Sequence, residues 1–182
     1  TGVQTCALPI SDKAYLGAIQ AQLKSEDLTA AARTLKEWNA RPGKHAGLET
    51  VARTVATRQF ISGDFKASAE SFALLAGRLD GDARIAALMA RGGILSGLDE
   101  IPAAIEAFST VLRDSTSADT RALARLRKGE LLLRRSEAPE VLKLWTEKDA
   151  TLSSAMAGEF ALRAALLARS RGDSASERRA LA

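Results

Sequence analysis

The sequence predicts an all-α protein, an α-solenoid of about five antiparallel helical hairpins. Apolar residues make up 46% of the chain but aromatic residues only 4%. This composition favours closely packed helices over strands, which are rich in aromatic and β-branched side chains. Apolar residues recur at helical spacing, and no stretch alternates convincingly at period two. Small and bulky residues also return every 36 or 37 positions, a period typical of stacked helical hairpins.

The first ten residues, Thr1 to Ile10, are expected to be foreign to the protein. One codon path for TGVQTCALPI is ACT GGA GTT CAG ACG TGT GCT CTT CCG ATC, which resembles a widely used sequencing-library adapter read in frame. Such segments are set aside before fold reasoning. We therefore assign residues 1–11 to an adapter-derived artefact and residues 12–182 to the repeat domain, which we expect to be a fragment of a longer protein. This removes Cys6, the single cysteine, and with it any disulfide or thiolate site.

Helical stripes and turn signals divide the remaining chain. The clearest stripes are Leu28, Ala31, Ala32, Leu35 and Trp38, then Leu48, Val51, Val55 and Ala56, then Ile85, Leu88, Met89, Gly92 and Leu95. The breaks ARPGK, LDGD, GLDE, RDSTSAD and SRGD consist of turn residues or N-caps. Pro102 and Pro139 fit the first turn of a helix, where proline is tolerated. Ser174 and Glu177 have the spacing of a capping box.

Three series of residues define the repeat, each stepping by 37, 36, 37 and 36 positions. The first helices carry Ile19, Ala56, Gly92, Gly129 and Ala165, and the second helices carry Ala31, Ser68, Ala104, Val141 and Glu177, followed one turn later by Leu35, Phe72, Phe108, Trp145 and Leu181. Small residues allow antiparallel helices to approach closely, while the bulky residue fills the gap between neighbouring hairpins. We expect the structural anchors to be Ala56, Phe72, Gly92, Ala104, Phe108, Gly129, Trp145 and Ala165.

These residues resemble the tetratricopeptide repeat (TPR) family. The segment GDFKASAESFALLAG at 63–77 is similar to the family's turn and second helix, and Gly92, Ala104 and Phe108 match its small, small, aromatic pattern. Ile19, Val141 and Glu177 depart from that pattern. The family's first-helix tryptophan and tyrosine and its proline after the second helix are missing. The resemblance implies a right-handed α-solenoid that acts as a non-catalytic scaffold for protein–protein interaction.

A narrower resemblance involves LARLRKGELLLRRSEAPEVLKLW and AGEFALRAALLARSRGD. These segments are similar to the C-terminal part of bacterial TPR-like proteins related to the ancillary subunit of the Sec translocon. That resemblance implies a membrane-associated, chaperone-like or secretion-associated factor on the periplasmic side of the inner membrane, with an anchor upstream of these residues. Otherwise we expect a cytoplasmic protein. The alternative interpretation is a regulatory or sensor segment of a larger protein, such as a transcription regulator.

No residue pattern indicates catalysis, a cofactor or a metal. His45, the single histidine, is interpreted as a solvent-exposed loop residue because no acid or thiol accompanies it in sequence. RGGILSG at 91–97 lacks the strand and lysine of a phosphate loop. The RGD tripeptide at 171–173 coincides with an inter-helix turn. Trp38 and Trp145 fall on apolar stripes, which favours core packing over ligand stacking. We expect a protein that is not an enzyme.

Charge patterning argues against a nucleic-acid partner. The net charge is +4, but Lys and Arg are interspersed with Asp and Glu, which usually indicates solvated helix faces. The densest basic series contains Glu130 and no aromatic residue for base stacking: Arg121, Arg125, Arg127, Lys128, Arg134 and Arg135. No apolar run reaches about 18 residues, so we expect these residues not to insert into a membrane.

In a TPR-type solenoid the first helices line a concave groove that receives a protein or peptide segment. The register places nine partner-binding candidates there: Arg53, Thr57, Phe60, Met89, Ser96, Leu126, Glu130, Leu162 and Arg169. Some TPR proteins hold a C-terminal carboxylate with a set of basic residues and asparagines. Here Arg53 would act alone, with Thr57 where asparagine is needed, so we do not expect binding of that type.

Overall fold

The computed structural model describes residues 11–43 and 45–181, so the adapter-like segment Thr1–Ile10 lies outside the described residues. The described chain is helical and contains no strand, which confirms the predicted all-α class. Its helices are α1 (Asp12–Lys24), α2 (Leu28–Ala40), α3 (Leu48–Ile61), α4 (Phe65–Ala76), α5 (Gly81–Gly97), α6 (Ile101–Asp114), α7 (Ala118–Arg134), α8 (Ala138–Thr146), α9 (Ser154–Ser170) and α10 (Ser174–Leu181).

Within the predicted repeat domain the chain forms two compact units, one ending at Leu79 and the other starting at Asp80. The first unit contains α1 to α4 and the second α5 to α10. In each unit every helix packs against the next one in sequence. In the first unit α1 also contacts α3, and α2 contacts α4. This pattern is that of helical hairpins placed side by side.

The turns inside the five helical pairs share one unusual backbone feature. Each contains a residue in the left-handed region: Glu26 (φ 59°), Gly63 (84°), Asp99 (63°), Ser136 (62°) and Gly172 (71°). These positions are separated by 37, 36, 37 and 36 residues, the steps of the sequence repeat. Glycine adopts this conformation without steric cost, whereas the other residue types do so rarely. The five pairs therefore close by the same turn even where glycine has been replaced.

Helix starts follow the turn chemistry of the sequence. Asp27 and Asp64, each one residue after the left-handed position, accept hydrogen bonds from backbone N–H groups at the starts of α2 and α4. Pro102 and Pro139 occupy the first turns of α6 and α8, as predicted. The predicted cap at Ser174 is wrong, because Ser174 is already inside α10. Asp173 takes that role, and its Oδ1 accepts from the Ser176 N–H at 2.9 Å.

In the first unit, the repeat residues are buried between the helices of each pair: Ile19, Ala31, Leu35, Ala56, Ser68 and Phe72. The Ser68 hydroxyl donates to the Ala56 carbonyl at 2.8 Å, which joins α4 to α3. Trp38 is also fully buried. The Ser68 hydroxyl, which would otherwise be buried without a partner, is thus satisfied across the pair.

In the second unit, glycines on the first helices contact the bulky residues of the second helices. A Cβ atom at Gly92 would lie 2.9 Å from the Phe108 ring. A Cβ atom at Gly129 would lie 2.4 Å from Trp145 Nε1. Ala104, Phe108, Val141, Trp145 and Ala165 are buried. Leu181 occupies the equivalent bulky position of the last pair but is 64% exposed.

Candidate functional site

The nine predicted partner-binding residues lie on the first helices of four hairpins, and none of them is buried. They belong to one face of each helix, at positions i, i+3, i+7 and i+10, which we call the first-helix face. Its members are Thr50, Arg53, Thr57 and Phe60 on α3; Ala86, Met89, Gly93 and Ser96 on α5; Leu123, Leu126, Glu130 and Leu133 on α7; and Glu159, Leu162, Leu166 and Arg169 on α9.

In the second unit two sets of contacts connect the helices that carry this face. Arg134 of α7 donates from Nη2 to Asp99 Oδ1 at 2.6 Å and from Nη1 to the Ser96 carbonyl at 3.3 Å, which joins the C-terminal ends of α5 and α7. Residues of α7 and α9, including Ala122 and Ala164, share one core cluster. Arg134 thus links α7 to the end of α5, and the shared core cluster links α7 to α9.

Leucine side chains dominate the first-helix face of α7 and α9. Leu123 is 44% exposed, Leu133 37%, Leu162 51% and Leu166 57%, and these are the large apolar residues that α7 and α9 leave exposed among the described residues. Leu126 is only partly exposed, because it also packs against the core cluster. An apolar patch that neighbouring elements leave uncovered is typical of an interaction surface.

Sequence reasoning missed Leu123, Leu133 and Leu166. The signal was present, because these leucines follow the register that selected Leu126 and Leu162. It could not be separated from the core stripe, since leucines next to them in sequence, such as Leu131 and Leu132, are buried.

Charged residues on this face are mostly paired with neighbours on the same helix. Arg127 donates to Glu130 at 3.1 Å, and Arg163 donates to Glu159 at 2.7 Å. Arg169 is exposed, and no carboxylate among the described residues forms an ion pair with it. The first-helix face of the second unit thus combines exposed leucines with two ion pairs and has a positive charge at the end of α9.

The first unit presents a separate part of the first-helix face on α3. Arg53 pairs with Glu49 at 3.0 Å, and Thr57 is exposed. Phe60 makes an edge-on contact with Phe65, with 5.3 Å between the ring centroids, and both rings remain partly exposed. The carboxylate partner leaves Arg53 less available for a ligand anion than its sequence position suggests.

Five of the six residues in the basic series of Arg121 to Arg135 face carboxylates. Arg121 and Arg125 face Asp149 at 3.3 and 3.8 Å, Arg127 pairs with Glu130 at 3.1 Å, Arg134 with Asp99 at 2.6 Å and Arg135 with Glu137 at 2.7 Å. Hydrogen bonds from the hydroxyl and the backbone N–H of Thr151, helped by the Arg121 guanidinium, lower the pKa of Asp149 to about 2. A stripe of uncompensated positive charge, as nucleic acid requires, is not formed by this series.

The interpretation of His45 as a solvent-exposed residue is wrong. Its side chain is only 6% exposed, with Nδ1 3.0 Å from Asp12 Oδ1 and Nε2 3.1 Å from the Arg41 carbonyl oxygen. Trp38 Nε1 donates to the same Asp12 oxygen at 2.9 Å. The bond from Trp38, together with His45 and Arg41, lowers the pKa of Asp12. His45 therefore fixes the loop after α2 to the start of α1.

Spacing could not have revealed this pair, because 33 residues separate Asp12 from His45. One imidazole and one carboxylate also make an incomplete metal site. Across residues 11–43 and 45–181, no group of three or more His, Cys, Asp or Glu side chains is arranged to hold a metal ion.

Comparison with protein-family models and with curated proteins finds no match to this chain. Over the described ranges, the helices lack the combination of length and apolar character that a membrane crossing requires.

Proposed function

We propose that the protein is a non-catalytic scaffold for protein–protein interaction, built as a TPR-type right-handed α-solenoid. The first-helix face of the second unit would form the groove in which a segment of a partner protein binds. The observation that carries this proposal is the set of exposed leucines on α7 and α9, which occupy equivalent positions of the repeat.

Two structural repeats support the TPR-type assignment. The left-handed turn residue recurs five times at steps of 36 or 37 residues. The bulky residue of a second helix packs against a glycine on the preceding first helix, as Phe108 does on Gly92 and Trp145 on Gly129. Helical hairpins that repeat in this way bury their apolar faces by stacking on one another, and they commonly present an extended binding surface.

The leucines of the first-helix face can supply most of the binding energy. Complete burial of one leucine side chain is worth about 1.5–3 kcal/mol. Leu123, Leu133, Leu162 and Leu166 are each roughly half exposed, so covering all four would contribute about 3–6 kcal/mol. A partner segment with its own apolar side chains at helical or extended spacing would match this surface.

The two ion pairs of this face should contribute more to selectivity among partner proteins than to binding affinity. The Arg127–Glu130 and Arg163–Glu159 pairs are exposed, and such pairs contribute little to stability. They nevertheless favour a partner whose charges are arranged in complementary order. Because few charges are uncompensated, binding should weaken only modestly with added salt, in contrast to binding of nucleic acid.

Site-specific photocrosslinking tests the proposal. A benzophenone side chain is placed at Leu162 or Leu166, and the chain is irradiated in an extract of its native source. Lys143 on α8, which is exposed on a second helix, serves as the matched control position. We expect one defined protein adduct from both leucine positions and none from the control.

A second set of variants distinguishes groove binding from non-specific adhesion. Leu162→Glu should abolish the adduct formed from position 166 because it places a charge in the apolar surface, whereas Lys143→Glu should not change it. Equal adducts from the face and from the control position would refute the proposed function. Adducts that Leu162→Glu leaves unchanged would refute it as well.

A further inference from the structure

A small cavity in the second unit lies among α8, α9, α10 and the loop between α8 and α9. Its volume is about 160 Å³. Apolar side chains form much of its wall, including Trp145, Leu152, Ala161 and Phe160. An apolar cavity of about 150 Å³ in another protein is large enough to hold benzene. The size and lining therefore suit one compact apolar group such as an aromatic ring.

The polar side of the cavity is formed by a buried guanidinium. The Arg125 side chain is only 7% exposed, and its Cζ atom lies 5.6 Å from the centroid of the Phe160 ring. Nη1 donates to the Glu147 carbonyl at 3.1 Å, while Nη2 is 3.8 Å from Asp149 Oδ2. Its Nε–H has no acceptor among the described residues. This cation is thus incompletely satisfied by the protein.

Three cationic side chains, Arg125, Lys148 and Arg179, line the cavity together with two acidic ones, Glu147 and Asp149, which leaves a net charge of +1. Asp149 is already engaged by Arg121 at 3.3 Å and by Thr151. Lys148 and Arg179 also line the cavity, and no carboxylate among the described residues forms an ion pair with either. Arg179 donates instead to the Ser176 hydroxyl at 2.9 Å. An anionic group on a ligand would therefore meet cations that lack a strong partner.

We propose that this cavity binds a small organic acid, with a compact apolar body between Trp145 and Phe160 and a carboxylate directed towards Lys148 and Arg179. The proposal does not depend on the scaffold function, because the cavity is lined by residues other than those of the first-helix face. A binding site of this kind would let a small carboxylate influence how α10 packs on the rest of the second unit.

Nuclear magnetic resonance of the full chain tests this proposal with phenylacetate as the probe. The two tryptophans of the sequence give two indole N–H signals, of which Trp145 lines the cavity and Trp38 is an internal reference. We expect a saturable shift of the Trp145 signal and none of the Trp38 signal. The cationic analogue 2-phenylethylamine should give no saturable shift.

Filling the cavity provides a matched pair of variants. Ala161 lines the cavity on α9, whereas Ala155 on the same helix is exposed and does not line it. Ala161→Leu should weaken phenylacetate binding by about tenfold or more, since the added atoms occupy the space of the ring. Ala155→Leu should leave it unchanged. Ala157→Leu, which also fills the cavity, replaces Ala161→Leu if circular dichroism shows that the latter does not fold.

Removing rim charges tests the carboxylate contact. Lys148→Gln and Arg179→Gln should each weaken binding by about two- to fivefold, the range for exposed ion pairs. Lys143→Gln, outside the cavity lining, should have no effect. The proposal is overturned if phenylacetate gives no saturable shift, if 2-phenylethylamine binds equally well, or if the folded cavity-filling variant binds like the parent.

Discussion

Replacing Gly129 with alanine tests the close approach of the two helices in the fourth hairpin. The added Cβ atom would lie 2.4 Å from Trp145 Nε1, 2.6 Å from Cε2 and 2.7 Å from Cζ2, which are shorter distances than real Cβ atoms show. The atoms in the way belong to a rigid indole ring that is buried. The ring cannot swing aside without opening the core around it.

The magnitude follows from two opposing effects. Alanine in place of glycine in a helix interior gains about 1 kcal/mol of helix propensity. Overpacking a filled core costs about 1–3 kcal/mol. Gly129→Ala should therefore lower the free energy of unfolding by about 0–2 kcal/mol. Gly93→Ala is the control, because a Cβ atom there meets nothing within 4 Å, so it should stabilise by about 1 kcal/mol.

Urea denaturation followed by circular dichroism measures both variants. The difference between them isolates the steric cost, because both substitutions share the gain in helix propensity. We expect Gly129→Ala to be less stable than Gly93→Ala by about 1–3 kcal/mol with unchanged m-values. If the two substitutions stabilise the protein equally, the small-against-bulky packing between α7 and α8 is not as described.

Three further predictions concern the turns, Asp149 and His45. Ser136→Gly should stabilise the protein by about 0.5–1 kcal/mol, because glycine adopts the left-handed backbone conformation without strain. Gly63→Ala should destabilise the protein by a similar amount. Urea midpoints that move in the opposite directions would contradict the turn assignment. The pKa of Asp149 is lowered to about 2 from 3.8, so its contribution is present above pH 3.8 and is lost as the pH falls through about 2. Asp149→Asn should therefore cost about 1–2 kcal/mol at pH 7, and the difference from the parent should vanish near pH 2; a difference that persists in acid would exclude the charge as its cause. His45→Ala should lower the free energy of unfolding, measured by thermal denaturation, by about 1–3 kcal/mol because it removes a buried partner of Asp12. Replacement of an exposed loop histidine would change this free energy by less than about 0.5 kcal/mol.

The repeat could be predicted from the sequence because burial restricts the size of the side chain at each repeated position. Gly92 and Gly129 must be small to admit Phe108 and Trp145, so the same combination of side-chain sizes appears in the third and fourth hairpins. The equivalent turns were harder to identify, since Glu26, Asp99 and Ser136 replace glycine at the left-handed position. Local sequence does not show that a non-glycine residue is held in that conformation by the helices on either side.

Two features could be identified only from the structure. His45 meets Asp12 only because the loop after α2 folds back on α1. The exposed leucines of α7 and α9 have the same residue type and nearly the same spacing as core leucines, so only the packing of neighbouring helices separates one set from the other. Periodicity thus predicts the helices and their buried faces, whereas the exposed apolar surface depends on how the neighbouring helices pack.

Leucine methyl spectra of the unmodified protein, with and without the partner that crosslinking identifies, test the proposed binding face most directly. Leu181 is the reference, because it is 64% exposed and lies on a second helix. We predict that the partner shifts the methyl signals of Leu162, Leu166 and Leu123 and leaves the Leu181 signals unchanged. Shifts at Leu181 with unchanged signals from the first-helix face would contradict it.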